Sequence, residues 1–355
     1  MPQGTLNREL VTPRPKVVPI HVATSSTYWG SDVDDEYPPS PASSDSSFDE
    51  DEVNRRITPY WPKYRSLFES RGFQLDRVRD VKEFYRHYAE ANISDPFLLT
   101  TNSLVPFAPN EDEDALCPDA GLPDNLFRGT RISDGQKLVV KAVHLYSREY
   151  NVNRVLSCSP LRDDPMNHTI PVLDLIEVEE DEIVFIVMEE WSSQLIIDDG
   201  PCCLKLFLAA LRQCIEHAVF LHKHNIAHLD ISLRNLLSDY EGHYAYIDYE
   251  ISRRFEIGSS PRLYGYRGTE VPPECEKGEF ADPYKIDVWA LAVLMLRACK
   301  LTGYFVPELM QLIKPMLHER PELRPSTPLV LRAFDSMVAS IGESRLRTTS
   351  CTTYH

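Results

Sequence analysis

A chain of 355 residues with 43% hydrophobic residues suits one large two-lobed domain with appendages, because single hydrophobic cores stop growing at about 250 to 300 residues. Its formal net charge of −17 argues against a nucleic acid or an anionic membrane as the main partner. The eight cysteines show no paired Cys-x-x-Cys spacing, and no apolar run approaches the roughly 20 residues of a membrane helix. A soluble protein of the cytoplasm or nucleus, with reduced thiols, is expected.

The first 55 residues are predicted to be a disordered tail. They are rich in Pro, Ser and Asp and cannot bury enough apolar surface to offset the entropy of ordering. Residues 31–52 contain nine acidic side chains and no Lys or Arg, which is −9 of the net −17. Ser46 and Ser47 each have an acid three positions later, as acidophilic kinases prefer, although a plain solvated tail has the same composition.

The pattern changes over residues 56–124, which are predicted to form a helical extension ending in a loop from 108 to 124. Apolar and aromatic residues recur in it at intervals of three and four, the spacing of one helix face, and such a face usually packs into a core. These residues are Trp61, Tyr64, Leu67, Phe68, Val81, Phe84, Tyr85, Tyr88 and Ala89.

From about residue 125 the sequence predicts alternating strands and helices. Residues 138–143 and 182–188 are β-branched runs of strand length, and residues 148–156 between them are predicted to be helical. A longer amphipathic helix is predicted over 204–221, and a strand over 244–248. This order predicts an α+β fold.

Several polar residues in this region match the needs of phosphoryl transfer, which requires a carboxylate for the acceptor hydroxyl, oxygen ligands for Mg²⁺ and a cation on the phosphates. The run HLDISLRN holds Asp230 and, five residues later, Asn235. Asp248 ends a predicted strand and supplies a second carboxylate, while Lys141 lies in the strand LVVKAV. Glu149, on the next helix, could pair with Lys141. A solvated helix face is the alternative for Glu149.

This order and spacing resembles the eukaryotic protein-kinase superfamily over about residues 125–340. The resemblance implies a bilobal fold, with a small mostly-β N-lobe at 125–190 and a larger mostly-α C-lobe at 191–340. The helical extension at 56–124 would precede the lobes, and a flexible tail at 341–355 would follow them. The segment NHTIPVLD and the aromatic extension are similar to kinase-like proteins of mushroom-forming fungi.

The same resemblance assigns roles to individual residues. Asp230 would be the catalytic aspartate, Lys141 the phosphate anchor paired with Glu149, and Asn235 and Asp248 the Mg²⁺ ligands. The ATP-binding gatekeeper and hinge would be Met188, Glu189, Glu190 and Trp191. The structural residues would be His228, Glu274 of VPPE, Asp287 with Trp289 in the long helix after it, and Arg324 as the buried partner of Glu274. Two unrelated surface charges are the alternative for Glu274 and Arg324.

Three features depart from the superfamily pattern. No Gly-x-Gly-x-x-Gly precedes Lys141, which predicts weaker nucleotide binding because backbone amides normally cover the phosphates. The metal-binding triplet at 248–250 reads Asp-Tyr-Glu. Leu229 replaces the arginine before Asp230, a non-RD arrangement in which phosphorylation of the loop at 259–269 is not expected to be the main switch.

Three functions remain open on the sequence alone. The first is an ATP- and Mg²⁺-dependent kinase acting on a protein hydroxyl, with Ser/Thr favoured over Tyr on abundance. The second is a pseudokinase scaffold. The third is a small-molecule kinase of the choline or aminoglycoside type, whose metal triplet often ends in glutamate. The expected partner is a protein substrate of unknown identity, without nucleic acid or membrane, and the chain is expected to be monomeric.

Overall fold

The computed structural model describes residues 54, 57–92, 112–192, 201–239 and 241–347. The disorder predicted for residues 1–55 therefore falls outside the described residues, apart from Asn54. The described chain forms two compact units. The smaller one comprises residues 76–92 and 112–123, and the larger one comprises the rest.

The larger unit begins with a short helical segment and a strand. A 3-10 turn at Trp61–Tyr64 leads into helix α1 (Arg65–Ser70), and strand β1 (Phe73–Leu75) follows. The sequence predicts helix throughout this stretch, but Gly72 adopts a φ of 83° directly after the helix C-cap and ends the helix. The chain can then turn into the sheet.

The smaller unit contains helix α2 (Val78–Asn92). Asp80 accepts the backbone N–H of Arg77 at 3.1 Å and so satisfies a donor at the start of the helix. Residues 112–123, part of the predicted loop, contain no helix or strand among their described positions. Backbone hydrogen bonds from Val78 to Ala115 and from Cys117 to Asp76 hold them beside the start of α2.

A five-stranded antiparallel sheet in the larger unit has the strand order β1-β2-β3-β5-β4. The further strands are β2 (Leu126–Arg131), β3 (Lys137–His144), β4 (Val172–Val178) and β5 (Ile183–Glu189). The strands predicted at 138–143 and 182–188 are confirmed as β3 and β5. They pair so that Lys141 lies opposite Ile186, and their β-branched residues other than Val139 are buried.

Helix α3 (Arg148–Leu156) follows β3 and confirms the helix predicted there. Ser147 caps it by accepting the backbone N–H of Tyr150 at 3.1 Å. Part of the predicted apolar stripe is core, because Trp61, Tyr64 and Phe68 are buried, and Tyr64 and Phe68 pack edge-on against Phe185 with ring centroids 4.7 and 5.0 Å apart. Leu67, Val81 and Phe84 are half-buried, and the side chains of Tyr85, Tyr88 and Ala89 lie outside the described residues.

The helical region follows the sheet in the chain. Helix α4 (Leu204–Lys223), predicted over 204–221, buries a continuous apolar face. Short strands then form two two-stranded sheets, β6 with β9 and β7 with β8. Their bounds are β6 (Ile226–Ala227), β7 (Leu236–Ser238), β8 (Tyr244–Tyr246) and β9 (Arg253–Arg254).

The remaining helices are α5 (Pro273–Glu276), α6 (Pro283–Thr302), α7 (Pro307–Met316), α8 (Thr327–Ser340) and α9 (Glu343–Leu346). Helices α6 to α9 complete one apolar core with α4, whereas Cys275 of α5 packs against a separate, smaller cluster. Asp282 caps α6 by accepting the N–H of Tyr284. The flexible tail predicted from 341 differs from the structure at its start, because Ile341 and Leu346 are buried in this core.

The chain is thus a mixed α and β protein with a five-stranded sheet and a helical region. Within the described ranges, no helix is both long enough and apolar enough to cross a bilayer. The cysteines in these ranges are free thiols.

Candidate functional site

Strand β3, helix α3 and the loop after β8 bring three predicted residues together. The Lys141 ammonium lies 2.7 Å from Oε1 of Glu149 and 3.1 Å from Oδ1 of Asp248. Glu149 is 2% exposed, which excludes the solvated helix face considered from the sequence. The strand lysine and the distant aspartate therefore share one partly buried cluster.

The charges in this cluster shift one another. Burial alone would lower the pKa of Lys141, but the carboxylates of Glu149 and Asp248 outweigh it and raise that pKa. Burial raises the pKa of Glu149 to about 7, against the opposing effect of Lys141. Burial would also raise the pKa of Asp248, yet the Lys141 charge outweighs it and lowers that pKa. At neutral pH Lys141 is therefore a cation and Asp248 an anion, whereas the pKa of Glu149 lies close to neutral pH.

Asp230 is held on both of its carboxylate oxygens. The Asn235 amide donates to Oδ2 of Asp230 at 2.8 Å and to its backbone carbonyl at 3.0 Å. The backbone N–H of Thr269 donates to Oδ1 at 2.7 Å. The predicted pair of Asp230 and Asn235 is therefore in direct contact, and a loop that the sequence did not link to it supplies the third partner.

Asp287 of α6 fixes the backbone before Asp230. Its carboxylate is fully buried and accepts the N–H groups of His228 at 2.9 Å and Leu229 at 2.8 Å. Leu229 has a φ of 66°, a conformation that costs a residue with a side chain roughly 1 kcal/mol or more. The two charge-assisted hydrogen bonds offset this strain. His222 also contacts Asp287, at 2.9 Å, and no sequence signal pointed to it.

Tyr249, the middle residue of the Asp-Tyr-Glu triplet, anchors Asp248 from the buried side. Its hydroxyl lies 2.9 Å from Oγ1 of Thr169 and 3.0 Å from Nε2 of His217. Nδ1 of His217 accepts the backbone N–H of His168, so in the neutral ring Nε2 carries the proton and donates to Tyr249. Burial lowers the pKa of His217 and keeps the ring neutral. Thr169 and His217 were not predicted from the sequence.

The predicted pair of Glu274 and Arg324 is present and buried. The guanidinium contacts both carboxylate oxygens, at 2.7 and 2.6 Å, with the Glu274 side chain 3% exposed and that of Arg324 fully buried. Arg324 also lies over the Trp289 ring, 4.9 Å from its centroid. Two unrelated surface charges are therefore excluded.

The four predicted hinge residues lie at the end of β5 and just after it. Met188 and Glu189 are half-buried and pair with Val139 and Leu138 of β3. The backbone N–H of Glu190 donates to the Lys137 carbonyl at 3.1 Å, and its carboxylate forms an ion pair with Arg128. The Trp191 indole N–H donates to Glu189 at 3.0 Å.

A cavity of about 300 Å³ is lined by both Asp230 and Asp248. Its opposite wall is the loop from Leu263 to Thr269. Tyr266 in this loop donates its hydroxyl hydrogen to the Leu229 carbonyl at 2.8 Å. Both acidic residues can therefore face one bound molecule of small size.

Comparison with known proteins gives a partial relationship. No protein-family model matches the chain. A part of it is similar to the serine/threonine-protein kinase sck1 of Schizosaccharomyces pombe, with 27% identity over 113 residues. That similarity covers 31% of this chain and 16% of the relative. The likeness to kinase-like proteins of mushroom-forming fungi stays a prediction, while a relationship to a protein kinase is supported over about a third of the chain.

Proposed function

We propose that this protein is an ATP-dependent protein kinase of the bilobal type, transferring the γ-phosphate to a protein hydroxyl, with Ser or Thr as the acceptor. The observation that carries the proposal is the convergence of Lys141 and Glu149 on Asp248, which shares its cavity with Asp230. The partial similarity to a serine/threonine kinase supports the same conclusion. The buried pair of Glu274 and Arg324 belongs to the protein-kinase pattern and disfavours a small-molecule kinase.

The geometry suggests a role for each group. Lys141 would bind oxygens of the ATP phosphates, with Glu149 holding its ammonium in place. The acceptor hydroxyl oxygen would form a bond to the γ-phosphorus as the bond from that phosphorus to the bridging oxygen of ADP breaks. Asp230 would orient the hydroxyl and accept its proton. The hydrogen bonds from Asn235 and Thr269 keep this carboxylate in one orientation.

Magnesium fits oxygen donors on Asp248, which lines the cavity, and on Asn235, which contacts Asp230. Asp248 offers a carboxylate, and Asn235, whose amide nitrogen is turned to Asp230, offers the amide oxygen on its other branch. Among the described residues no three His, Cys, Asp or Glu side chains form a metal site. A hard cation held by few protein ligands and by phosphate oxygens is the arrangement that Mg²⁺ prefers. When bound, it would neutralise charge on the phosphates.

A second candidate, a pseudokinase scaffold, is favoured by one specific observation. Strands β1 and β2 are paired, but residues 76–125 connect them and contain no Gly-x-Gly-x-x-Gly turn. Backbone amides of such a turn would normally hold the phosphates. The Asp-Tyr-Glu triplet points the same way. We favour the enzyme because all four residues needed for transfer are present. Lys141 contacts Asp248, and Asn235 contacts Asp230.

Phosphate transfer from labelled ATP to Ser, Thr and Tyr peptides, and to the protein itself, tests the proposal. Wild type should transfer phosphate, and Asp230→Asn should lose at least about 100-fold in kcat, the size of a general-base contribution. Asp335→Asn is the matched control, since Asp335 forms an exposed ion pair with Arg212. It should behave as wild type.

A stability measurement separates the two candidates. Mg-ATP at a hundred times its Kd should raise the free energy of unfolding by about 2.7 kcal/mol. If Mg-ATP stabilises wild type but neither wild type nor Asp230→Asn transfers phosphate, the protein is a nucleotide-binding pseudokinase and the kinase proposal is rejected. We further propose a monomer acting on a protein substrate in the cytoplasm or nucleus.

A further inference from the structure

Asn54, which precedes the predicted extension, is tied to the candidate site. It is 7% exposed. Its side-chain oxygen accepts the backbone N–H of His144 at 3.0 Å, and its side-chain nitrogen donates to Oε2 of Glu149 at 3.4 Å. Its backbone carbonyl accepts the N–H of Ile57 at 3.1 Å. Both ends of the side-chain amide are therefore used.

The contact completes the surroundings of Glu149. Oε1 of Glu149 accepts from Lys141 at 2.7 Å and Oε2 accepts from Asn54, so each carboxylate oxygen has its own donor. His144 ends strand β3, three residues after Lys141, and Glu149 lies in the first turn of α3. Asn54 thus bridges the strand that carries the lysine and the helix that carries its partner.

A neutral donor suits this position on electrostatic grounds. The Lys141 ammonium contacts two carboxylates, Glu149 and Asp248, and the charge of Glu250 also acts on Glu149. A second cation at Oε2 would stabilise Glu149 but would draw its carboxylate away from Lys141. The Asn54 amide satisfies the oxygen without adding charge. It fixes the carboxylate orientation in which Oε1 faces the lysine.

We propose that Asn54 is a positioning residue for the phosphate-binding lysine, acting through Glu149. The inference rests on the proposed function, because Lys141 is taken to bind the phosphates of ATP. It predicts that the segment around residue 54, next to the acidic stretch at 31–52, contributes to nucleotide binding without touching the nucleotide.

The variant Asn54→Asp tests the contact with little change in shape. The new carboxylate would keep an oxygen for the His144 N–H, but it would replace the donor at Glu149 with a second negative charge. We expect the KM for ATP to rise about 10-fold, the cost of losing one charge-assisted hydrogen bond, with kcat for peptide transfer changed less. The apparent Kd for Mg-ATP from thermal shift should rise equally.

The matched control is Asn151→Asp on the same helix as Glu149. Asn151 is exposed. Its amide donates to the backbone carbonyl of Ser147 at 3.0 Å, whereas the Asn54 amide donates to a carboxylate. Like Asn54→Asp, this control adds one negative charge near Glu149, here on α3 itself. It should leave the KM for ATP unchanged. Equal KM and Kd values in Asn54→Asp, Asn151→Asp and wild type would overturn the proposal.

A double variant provides a readout besides activity. In Asn54→Asp combined with Glu149→Gln, the amide and the carboxylate exchange places, so the hydrogen bond can form in the opposite direction. We expect its Tm to exceed that of Asn54→Asp by about 2 to 4 °C, while nucleotide binding stays weak. If wild type shows no response to Mg-ATP, the proposed function fails. The Tm comparison would then still support the contact if the double variant recovers, and overturn it if not.

Discussion

Two bidentate arginine–glutamate pairs differ chiefly in their burial. Glu274 and Arg324 are almost completely buried, whereas the side chains of Glu308 and Arg345 are 35% and 39% exposed. The exposed pair has similar geometry, with contacts of 2.6 and 3.0 Å. Water screens it and solvates either charge when the other is removed. The buried arginine has no such access to water.

Removing the glutamate from each pair should therefore have very different costs. Glu274→Ala should lower the free energy of unfolding by about 3 to 5 kcal/mol, because it leaves the Arg324 charge buried without its carboxylate. Glu308→Ala should lower it far less, because water solvates the Arg345 charge that remains. Urea unfolding of both variants against wild type measures the difference. Equal losses would show that burial does not set the strength of these pairs.

At the scale of elements, the loop from Tyr266 to Glu270 is fitted against the loop that carries Asp230. The two are joined by Tyr266 to the Leu229 carbonyl and by the Thr269 N–H to Asp230. Gly268 lies between these contacts. A Cβ there would come closer than 3.0 Å to both the Tyr266 hydroxyl oxygen and the Leu229 carbonyl oxygen. Only glycine fits without displacing one loop.

Gly268→Ala should accordingly separate the two loops. We expect phosphate transfer to fall about 10-fold or more, because Asp230 loses the Thr269 N–H that orients it. Stabilisation by Mg-ATP should change little, since Lys141 lies on another element. Rates at saturating ATP and thermal shift with Mg-ATP measure the two effects.

Gly258→Ala is the control for the loss of a glycine as such. Gly258 has a φ of 78° and open space around its Cα. Alanine there should cost about 1 kcal/mol of stability through backbone strain alone and leave transfer intact. Equal loss of transfer in both variants would argue against a specific fit at Gly268.

The long elements could be predicted from the sequence, and the short strand β1 could not. Strands β3 and β5 contain β-branched runs of strand length, and helix α3 lies between them with nine residues, so the type and approximate bounds of all three were predictable. Strand β1 has three residues, too few to show an alternation, and it lies inside a stretch with helical spacing. Its place in the sheet depends on pairing with β2, far along the chain.

The residues of the candidate site likewise divide into those that could be predicted from the sequence and those that could not. Lys141, Asp230, Asn235 and Asp248 were found because their residue types and spacing match a chemistry. Asn54, His217 and His222 were missed, since each is a common polar residue whose role depends on a partner 32 or more residues away. Such contacts leave no local pattern. Only the packed structure identifies them.

At the scale of the whole molecule, buried and half-buried histidines link stability to pH. Burial lowers the pKa of His168, His217, His224 and His228 below 6.5. Below pH 6.5 the unfolded chain therefore binds protons that the folded chain does not, and stability falls as the pH falls. Burial raises the pKa of Glu149 and Glu270. Above pH 4.5 these two groups therefore make the folded chain more stable as the pH falls, which opposes the effect of the histidines. Each group contributes at most one proton, and within the described ranges these four histidines outnumber the two glutamates, so net destabilisation by acid is expected between pH 6.5 and pH 4.5.

His217→Gln should reduce this pH dependence by about one proton. His217 is the most informative choice because its pKa lies well below 6.5 and because Gln can still donate to the Tyr249 hydroxyl. Between pH 6 and pH 5, the free energy of unfolding from urea titrations should fall less steeply than in wild type, by about 1.4 kcal/mol per pH unit. The slope is the readout, since the substitution also lowers stability at every pH.

Phe207→Leu in the same helix provides the comparison for that general loss. It should lower stability by roughly 1 kcal/mol through imperfect packing and leave the slope unchanged, because it removes no titrating group. If His217→Gln and Phe207→Leu both keep the wild-type slope, the ring at 217 must take up its proton in the folded protein. Its Nδ1 would then have to release the His168 N–H, and the neutral anchor behind Tyr249 and Asp248 would be lost.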